Sequence, residues 1–399
     1  MILIVIDSLD RYYFARRLVR AVRDEFDFLF LTSEPVAHCG LRLAGYRSIL
    51  LRRGERRAAA ADDEADSTLY GLSIEVLNGE MSEKRAKAES AAVFRIASAA
   101  MRRFPVTQCL MWNGQQLACR AVAQACAANG VPTKFMEISN LPSKLFVDSM
   151  GVNALSTISR NPAIIDSLPM PDEETHRNWL GCYERYKSTP LPQSRTLLAR
   201  KAKSLLNHLL KFATASVTRR RFGSLRARNS LRPPAQAKCY AADTLSTHRY
   251  VFLPLQVAGD TQIKLHSDVD NLAAIRKAAE LAARENASLF VKPHPAETDA
   301  ASIREIVRLQ EVCRFELVTS PTTDLIKHAH AVVTINSTVG LEAMLYGKRV
   351  VSLGRCFYRE FDRERLLKYI HSFLVDGIDY FGSNAIAPHA AREVILGKR

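Results

Sequence analysis

Residues 332–353, VVTINSTVGLEAMLYGKRVVSL, leave the chain few folds to choose from. An apolar, β-branched run stops at a polar turn, a short helical stretch follows, and a second apolar run begins at once. Two buried strands joined through a helix belong to a parallel α/β sheet. The turn Asn336-Ser337-Thr338 falls where the first strand ends and the helix starts. Unpaired backbone N–H groups and the positive end of the helix dipole meet there, which suits a phosphate or a carboxylate. Thr338 and Glu342 share one side of the new helix, so phosphate at the turn and a sugar hydroxyl at Glu342 fit a single ligand. A turn capped only by its own Ser and Thr accounts for the same residues.

The alternation continues through both halves. Strands are expected at 1–7, 27–32, 108–112 and 133–137, with helices at 11–26, 82–103 and 115–129 and a polar surface excursion at 52–80. The second half repeats the plan, with strands at 250–255, 288–292, 314–318, 331–335 and 349–353. Its helices are expected at 271–285, 301–310, 323–329 and 338–346, with a last helix near 363–375. A chain of 399 residues is long for one core. The expectation is α/β with two Rossmann-like domains facing a central cleft in a GT-B-like arrangement. The domains would be 1–165, a basic linker at 166–245 carrying an amphipathic helix, and 246–399.

Charge sharpens this division. The net charge of +15 points to an anionic partner. From 191 to 242 there is no Asp or Glu, while Arg195, Arg200, Lys201, Lys203, Lys211, Arg219, Arg220, Arg221, Arg226, Arg228, Arg232 and Lys238 fall inside. Within it, 197–212 spaces Leu197, Leu198, Leu205, Leu206, Leu209 and Leu210 along one helical face. Such a helix lies on an anionic membrane surface, here through 195–232, or packs as a linker on a domain. Few aromatics are interleaved for base stacking, so nucleic acid is not an expected partner. No stretch is long and apolar enough to span a bilayer. The start, MILIVIDSLDR, reads as a first strand and not as a signal peptide. The expected place is the cytoplasm, peripheral to a membrane surface. The cysteines are scattered without CxxC pairs, which supports neither a zinc site nor a disulfide framework.

Polar groups directly after predicted strands are the candidates for chemistry. Gln256-Val257-Ala258-Gly259-Asp260 follows the strand at 250–255, and Asp260 is either a catalytic carboxylate or a helix cap. Lys292-Pro293-His294-Pro295 places a cation and an imidazole in a rigid turn, able to neutralise a departing phosphate. Glu137 follows the strand at 133–136; Trp112-Asn113-Gly114 ends the one before it. Asp148 and Asn153 lie in a loop that would line the same cleft as Asn113 and help hold an acceptor. Two carboxylates around one anomeric carbon are what glycosyl chemistry requires. Asp268-Val269-Asp270 matches the metal-binding DxD pattern, yet it reads as the acidic start of a helix. P-loop, GxGxxG and GxSxG patterns are absent.

Five segments together resemble the bacterial capsule and O-antigen β-Kdo glycosyltransferases: WNG (112–114), EISNLPSKLFVDSMGVN (137–153), PLQVAGDTQI (254–263), KPHP (292–295) and NSTVGLEAMLYGKRVV (336–351). The resemblance implies a GT-B-like fold and retaining transfer of β-Kdo from CMP-β-Kdo to a lipid-linked surface glycan, with no metal or other cofactor. It makes Asp260 the nucleophile and Glu137 the acid/base. Gln256, Lys292, His294, Asn336, Ser337, Thr338 and Glu342 would hold the donor. Capsule members often carry an acidic residue and Gly after the glutamate; here Ile138-Ser139-Asn140 follow, which places the chain closer to the O-antigen branch. Another CMP- or CDP-activated donor (sialic acid or glycerol phosphate) and a non-catalytic, membrane-docking protein remain the alternatives.

Overall fold

The computed structural model describes residues 1–53, 70–188, 198–219, 231 and 233–397. They gather into two units. The first takes Met1–Thr157, Ser167–Leu225 and Tyr369–Arg399, and the second takes Ile158–Asp166 and Arg226–Lys368, each counted over its described residues.

In the first unit, β1 (Ile2–Ile6) is buried along its whole length. Ser8 caps α1 (Leu9–Arg20) by accepting from Arg11 N at 3.3 Å. The helix stops earlier than the 11–26 expected; Ala21 N turns back onto Leu18 O, and 21–25 wind as turns. Then come β2 (Phe28–Thr32), α2 (Pro35–Leu43) and β3 (Arg47–Leu50). The chain returns through α3 (Glu83–Arg103) to β4 (Gln108–Trp112), beside β1, and continues through α4 (Leu117–Ala128) to β5 (Thr133–Ile138). These strands are all parallel. Next, β6 (Lys144–Asp148) turns back antiparallel to β5.

Two more helices belong to this unit, α5 (Glu173–Ser188) and α6 (Leu198–Ala213). The expected amphipathic helix at 197–212 is therefore present, but it turns its polar residues inward. Asn207, His208 and Lys211 are buried, while Leu205, Leu206 and Leu209 are 54%, 52% and 47% exposed. The cause is Glu34, itself buried: Lys211 Nζ reaches Glu34 Oε1 at 2.6 Å and Asn207 Nδ2 donates to Glu34 Oε2. Of the other basic residues expected at 195–232, Arg195, Arg220, Arg221, Arg226, Arg228 and Arg232 lie outside the described residues.

The second unit has one five-stranded parallel sheet among its described residues, in the order β11-β10-β7-β8-β9. Its strands are β7 (Tyr250–Pro254), β8 (Ser288–Lys292), β9 (Glu316–Leu317), β10 (Ala331–Thr334) and β11 (Arg349–Ser352). The linking helices are α7 (Thr261–His266), α8 (Asn271–Arg284), α9 (Ala300–Leu309), α10 (Thr322–His328) and α11 (Thr338–Leu345), with α12 (Arg363–Lys368) after the sheet. Alternate residues of the strands feed two cores. Val251, Leu253, Val291 and Val333 pack on one face, and Tyr250, Phe252, Phe290 and Val332 on the other. This two-sided burial is why the strands read as unbroken apolar runs.

The end of the chain differs from expectation. The helix foreseen at 363–375 is α-helical over Arg363–Lys368 and winds on as a π-helical turn over Tyr369–Phe373, where Tyr369 and Phe373 stack beside Phe146. Then β12 (Val375–Asp376) pairs antiparallel with β6, completing a seven-stranded sheet in the order β12-β6-β5-β4-β1-β2-β3. A final helix, α13 (Pro388–Leu396), puts Val394 and Ile395 into the core with Ile2, Leu110 and Trp112. Residues 369 onward thus belong with the first unit and not with 246–368, because their apolar side chains finish its core. The fold class is α/β with two Rossmann-like units.

Candidate functional site

In the second unit β7 comes first in the chain, β8 and β9 lie to one side of it, and β10 and β11 to the other. The order reverses between β7 and β10, and open parallel sheets take their ligands at the carboxyl ends of such a pair. The loops after β10, β7 and β8 carry Asn336-Ser337-Thr338, Gln256–Asp260 and Lys292–His294, so the three motifs stand side by side.

Two of the expected ligand groups act as fasteners. Gln256 and Asn336, both buried, are bonded reciprocally: Gln256 Nε2 donates to Asn336 Oδ1 at 3.1 Å and Asn336 N donates to Gln256 Oε1 at 3.2 Å. Asn336 Nδ2 goes to Gln262 O at 2.8 Å. Their polar atoms bind the two loops to each other across the switch point, which leaves them a positioning role. Lys292 is also occupied: its Nζ donates to Ser320 O at 2.7 Å and Thr322 Oγ1 at 2.9 Å, and burial lowers its pKa.

Asp260 caps α7, its Oδ1 accepting from Gln262 N at 2.9 Å. His294 keeps an accessible side. Its Nδ1 accepts from Ala296 N at 3.1 Å, so the neutral ring carries its proton on Nε2. Loss of water around the ring lowers its pKa, against the pull of the Asp260 and Glu297 carboxylates. Asp260 and His294 therefore sit within electrostatic reach of one another. Ser337 caps α11 by accepting from Val339 N at 3.2 Å, and its own carbonyl takes the buried Tyr358 hydroxyl. Glu342 is buried one turn further on. Gly340 is required by Tyr358: a Cβ there would lie 2.5 Å from its hydroxyl oxygen. Of the DxD match, Asp270 caps α8 through Ala273 N at 2.8 Å and Asp268 pairs with Arg355, a helix start as expected.

The first unit carries the other carboxylate. Glu137 Oε2 accepts from Asn113 Nδ2 at 2.9 Å, and Oε1 from Ile138 N at 2.9 Å. Gly114 holds a φ of +75°, and a Cβ there would meet the Phe135 ring at 2.8 Å, so this turn needs glycine. Asp148 departs from expectation. It pairs with Phe135, two residues back from Glu137 along β5, and so lies away from the carboxyl end of that strand. Its oxygens are taken by Met150 N at 2.8 Å, Gly151 N at 3.3 Å and Thr157 N at 2.9 Å, which makes it a loop clamp. Asn153 opens a 3-10 turn with φ +52° in the loop so clamped.

A family model described as capsule polysaccharide biosynthesis protein matches residues 108–361, well over half of the chain and all five motifs. The chain belongs to the capsule polysaccharide biosynthesis protein family. Protein FixF of Sinorhizobium fredii is 35% identical over 113 residues, 27% of either chain. The capsule polysaccharide export protein KpsS of Escherichia coli is 24% identical over 246 residues, 54% of this chain and 59% of that protein. The chain thus matches less than two thirds of the length of either relative. Among solved structures, Thermosulfurimonas dismutans KpsC, beta Kdo 2,7 transferase, has a TM-score of 0.41 at 16% identity, covering 76% of this chain and 89% of that one. UDP-GlcNAc 2-epimerase from Neisseria meningitidis has a TM-score of 0.32 at 11% identity, covering 99% and 98%.

In this capsule-biosynthesis chain the residue that sequence reasoning missed is Glu297. It is 4% exposed and accepts Ala258 N on Oε2 at 2.8 Å, and Thr298 N and Asp299 N on Oε1, each at 2.8 Å. It staples the loop of Asp260 to the loop of His294. A glutamate two residues after an HP turn was the available signal.

Proposed function

We propose that this family member is a retaining glycosyltransferase that moves β-Kdo from CMP-β-Kdo to a lipid-linked surface glycan, without a metal. The observation that carries the reading is the alignment of Ser337-Thr338, Asp260 and His294 on three adjacent strand ends, with the Asp260 carboxylate near enough to act on the His294 ring. The motif resemblance supplies the donor, and the family supplies the class of product. The CMP phosphate rests on the start of α11 at Ser337 and Thr338, with the His294 Nε2–H as a further donor. Lys292 contributes charge and one remaining N–H. The Asp260 oxygen not engaged by Gln262 N attacks the anomeric carbon, the bond to CMP breaks, and the nucleotide leaves with its electron pair. The acceptor hydroxyl then displaces Asp260 while Glu137, held by Asn113, takes its proton.

A lipid-linked acceptor lies at a membrane. The exposed Leu205, Leu206 and Leu209 on a helix within a stretch free of Asp and Glu support docking on anionic lipid at the cytoplasmic face. No helix among the described residues is long and apolar enough to cross a membrane. The test of the chemistry is mass spectrometry after incubation with CMP-Kdo. A Kdo adduct on Asp260, absent from Asp260→Asn with CMP binding retained, is the expected result. Normal transfer by Asp260→Asn would remove the nucleophile assignment.

A further inference from the structure

We propose that the first unit carries a binding site for an uncharged, polyhydroxylated sugar at the switch point of its own sheet. A cavity of about 470 Å³ lies there. In that sheet β1 and β4 are neighbours from which the chain departs in opposite directions, to β2 and to β5. The carboxyl ends of such a pair open a crevice. Asp7 and Asp10, after β1, and Gln116, after β4, all line the cavity.

The lining chooses the ligand. Five carboxylates, Asp7, Asp10, Glu34, Glu75 and Glu80, face the cations Arg11 and Lys211. Both cations are already neutralised inside the wall, Arg11 by Asp7 and Lys211 by Glu34. The remaining basic group, His208 on α6, is buried. The buried side-chain oxygen of Gln116 has no hydrogen-bond partner among the described residues. A wall with acceptors in excess and its strong cations paired matches a ligand rich in hydroxyl donors, and repels phosphate or carboxylate. Glu75, whose Oε2 accepts from Leu117 N at 3.0 Å, is pushed up to about 6 by burial, so it changes between acceptor and donor near neutrality.

One loop ties this cavity to the reaction. At one end Asn113 bonds Glu137, and at the other Leu117 N bonds Glu75. A sugar in the cavity therefore lies along the loop that holds the proposed acid/base. The sugar's role as acceptor rests on the proposed function; its binding here does not. The reading names the acceptor end as a neutral sugar and excludes a second acidic one.

Saturation-transfer NMR on the full chain tests it, with methyl glucoside, methyl N-acetylglucosaminide and methyl glucuronide as probes and CMP as a separate titration. The neutral glycosides should bind about tenfold more tightly than the glucuronide, and about tenfold more weakly to Glu75→Gln and Asp10→Asn than to wild type. CMP binding should be unchanged in both variants, which also shows that they are folded. A glucuronide that binds as tightly as the neutral sugars, neutral binding unmoved by both substitutions, or no glycoside binding while CMP binds would each overturn the inference. Glycoside binding with no CMP binding would instead remove the proposed function and leave this site standing.

Discussion

Replacing Glu297 by Gln isolates the staple between the Asp260 and His294 loops. The carboxylate serves Ala258 N with one oxygen and Thr298 N and Asp299 N with the other. A carboxamide has one oxygen, so one set of donors must face an NH₂ group. The local pair at Thr298 and Asp299 holds two donors and keeps the oxygen, leaving Ala258 N without its acceptor. A hydrogen bond to a charged group contributes about 1.5–3 kcal/mol. A loss of about 2 kcal/mol raises the opening of the Asp260 loop by about 30-fold. Hydrogen exchange at Ala258, Gly259 and Asp260 reads this directly. Those amides should exchange about 30-fold faster in Glu297→Gln, with the amides of β7 unchanged, and transfer should slow because Asp260 is no longer held. Unchanged exchange at Ala258 refutes the staple. Equal acceleration throughout the sheet refutes its local character.

Two further outcomes follow from buried charge. Lys211→Met leaves Glu34 buried without its cation and should lower the stability of the first unit by about 3 kcal/mol in urea unfolding; Glu34→Gln in the same chain should recover part of it, and a neutral Lys211→Met would contradict the pairing. His371, whose Nε2 lies 3.1 Å from His176 Nδ1, is pushed down from 6.5 to about 4, chiefly by burial. The unfolded chain takes that proton first, so stability is full above pH 6.5 and is lost as pH falls toward about 4. The urea midpoint should drop between pH 7.5 and 5, and less so in His371→Asn; equal midpoints would oppose this.

The central strands were legible because parallel strands covered on both faces are runs such as Ile2–Ile6 and Tyr250–Pro254. The strands that close one side of the first sheet were not: β12 has only two residues, and β6 is bracketed by Lys144 and Asp148; β9, expected at 314–318, forms over Glu316–Leu317 alone. At the candidate site, Gln256, Asn336, Asp148 and Lys292 carry the right chemistry after buried strands, yet their polar atoms close on neighbouring backbone and amides. Residue type and place in the pattern do not reveal which way a side chain hydrogen-bonds. For α6 the Leu spacing was readable; that Glu34 would draw the opposite face inward depends on a partner far away in sequence.

The interleaved connectivity sets the order in which this protein can mature on the ribosome. Val375, Ile378, Val394 and Ile395 plug the core that β1 began, and they emerge from the exit tunnel after the whole of the β7–β11 sheet. The first domain to be translated is therefore the last to be sealed, since the side chains that finish its core leave the tunnel only after the later sheet is complete.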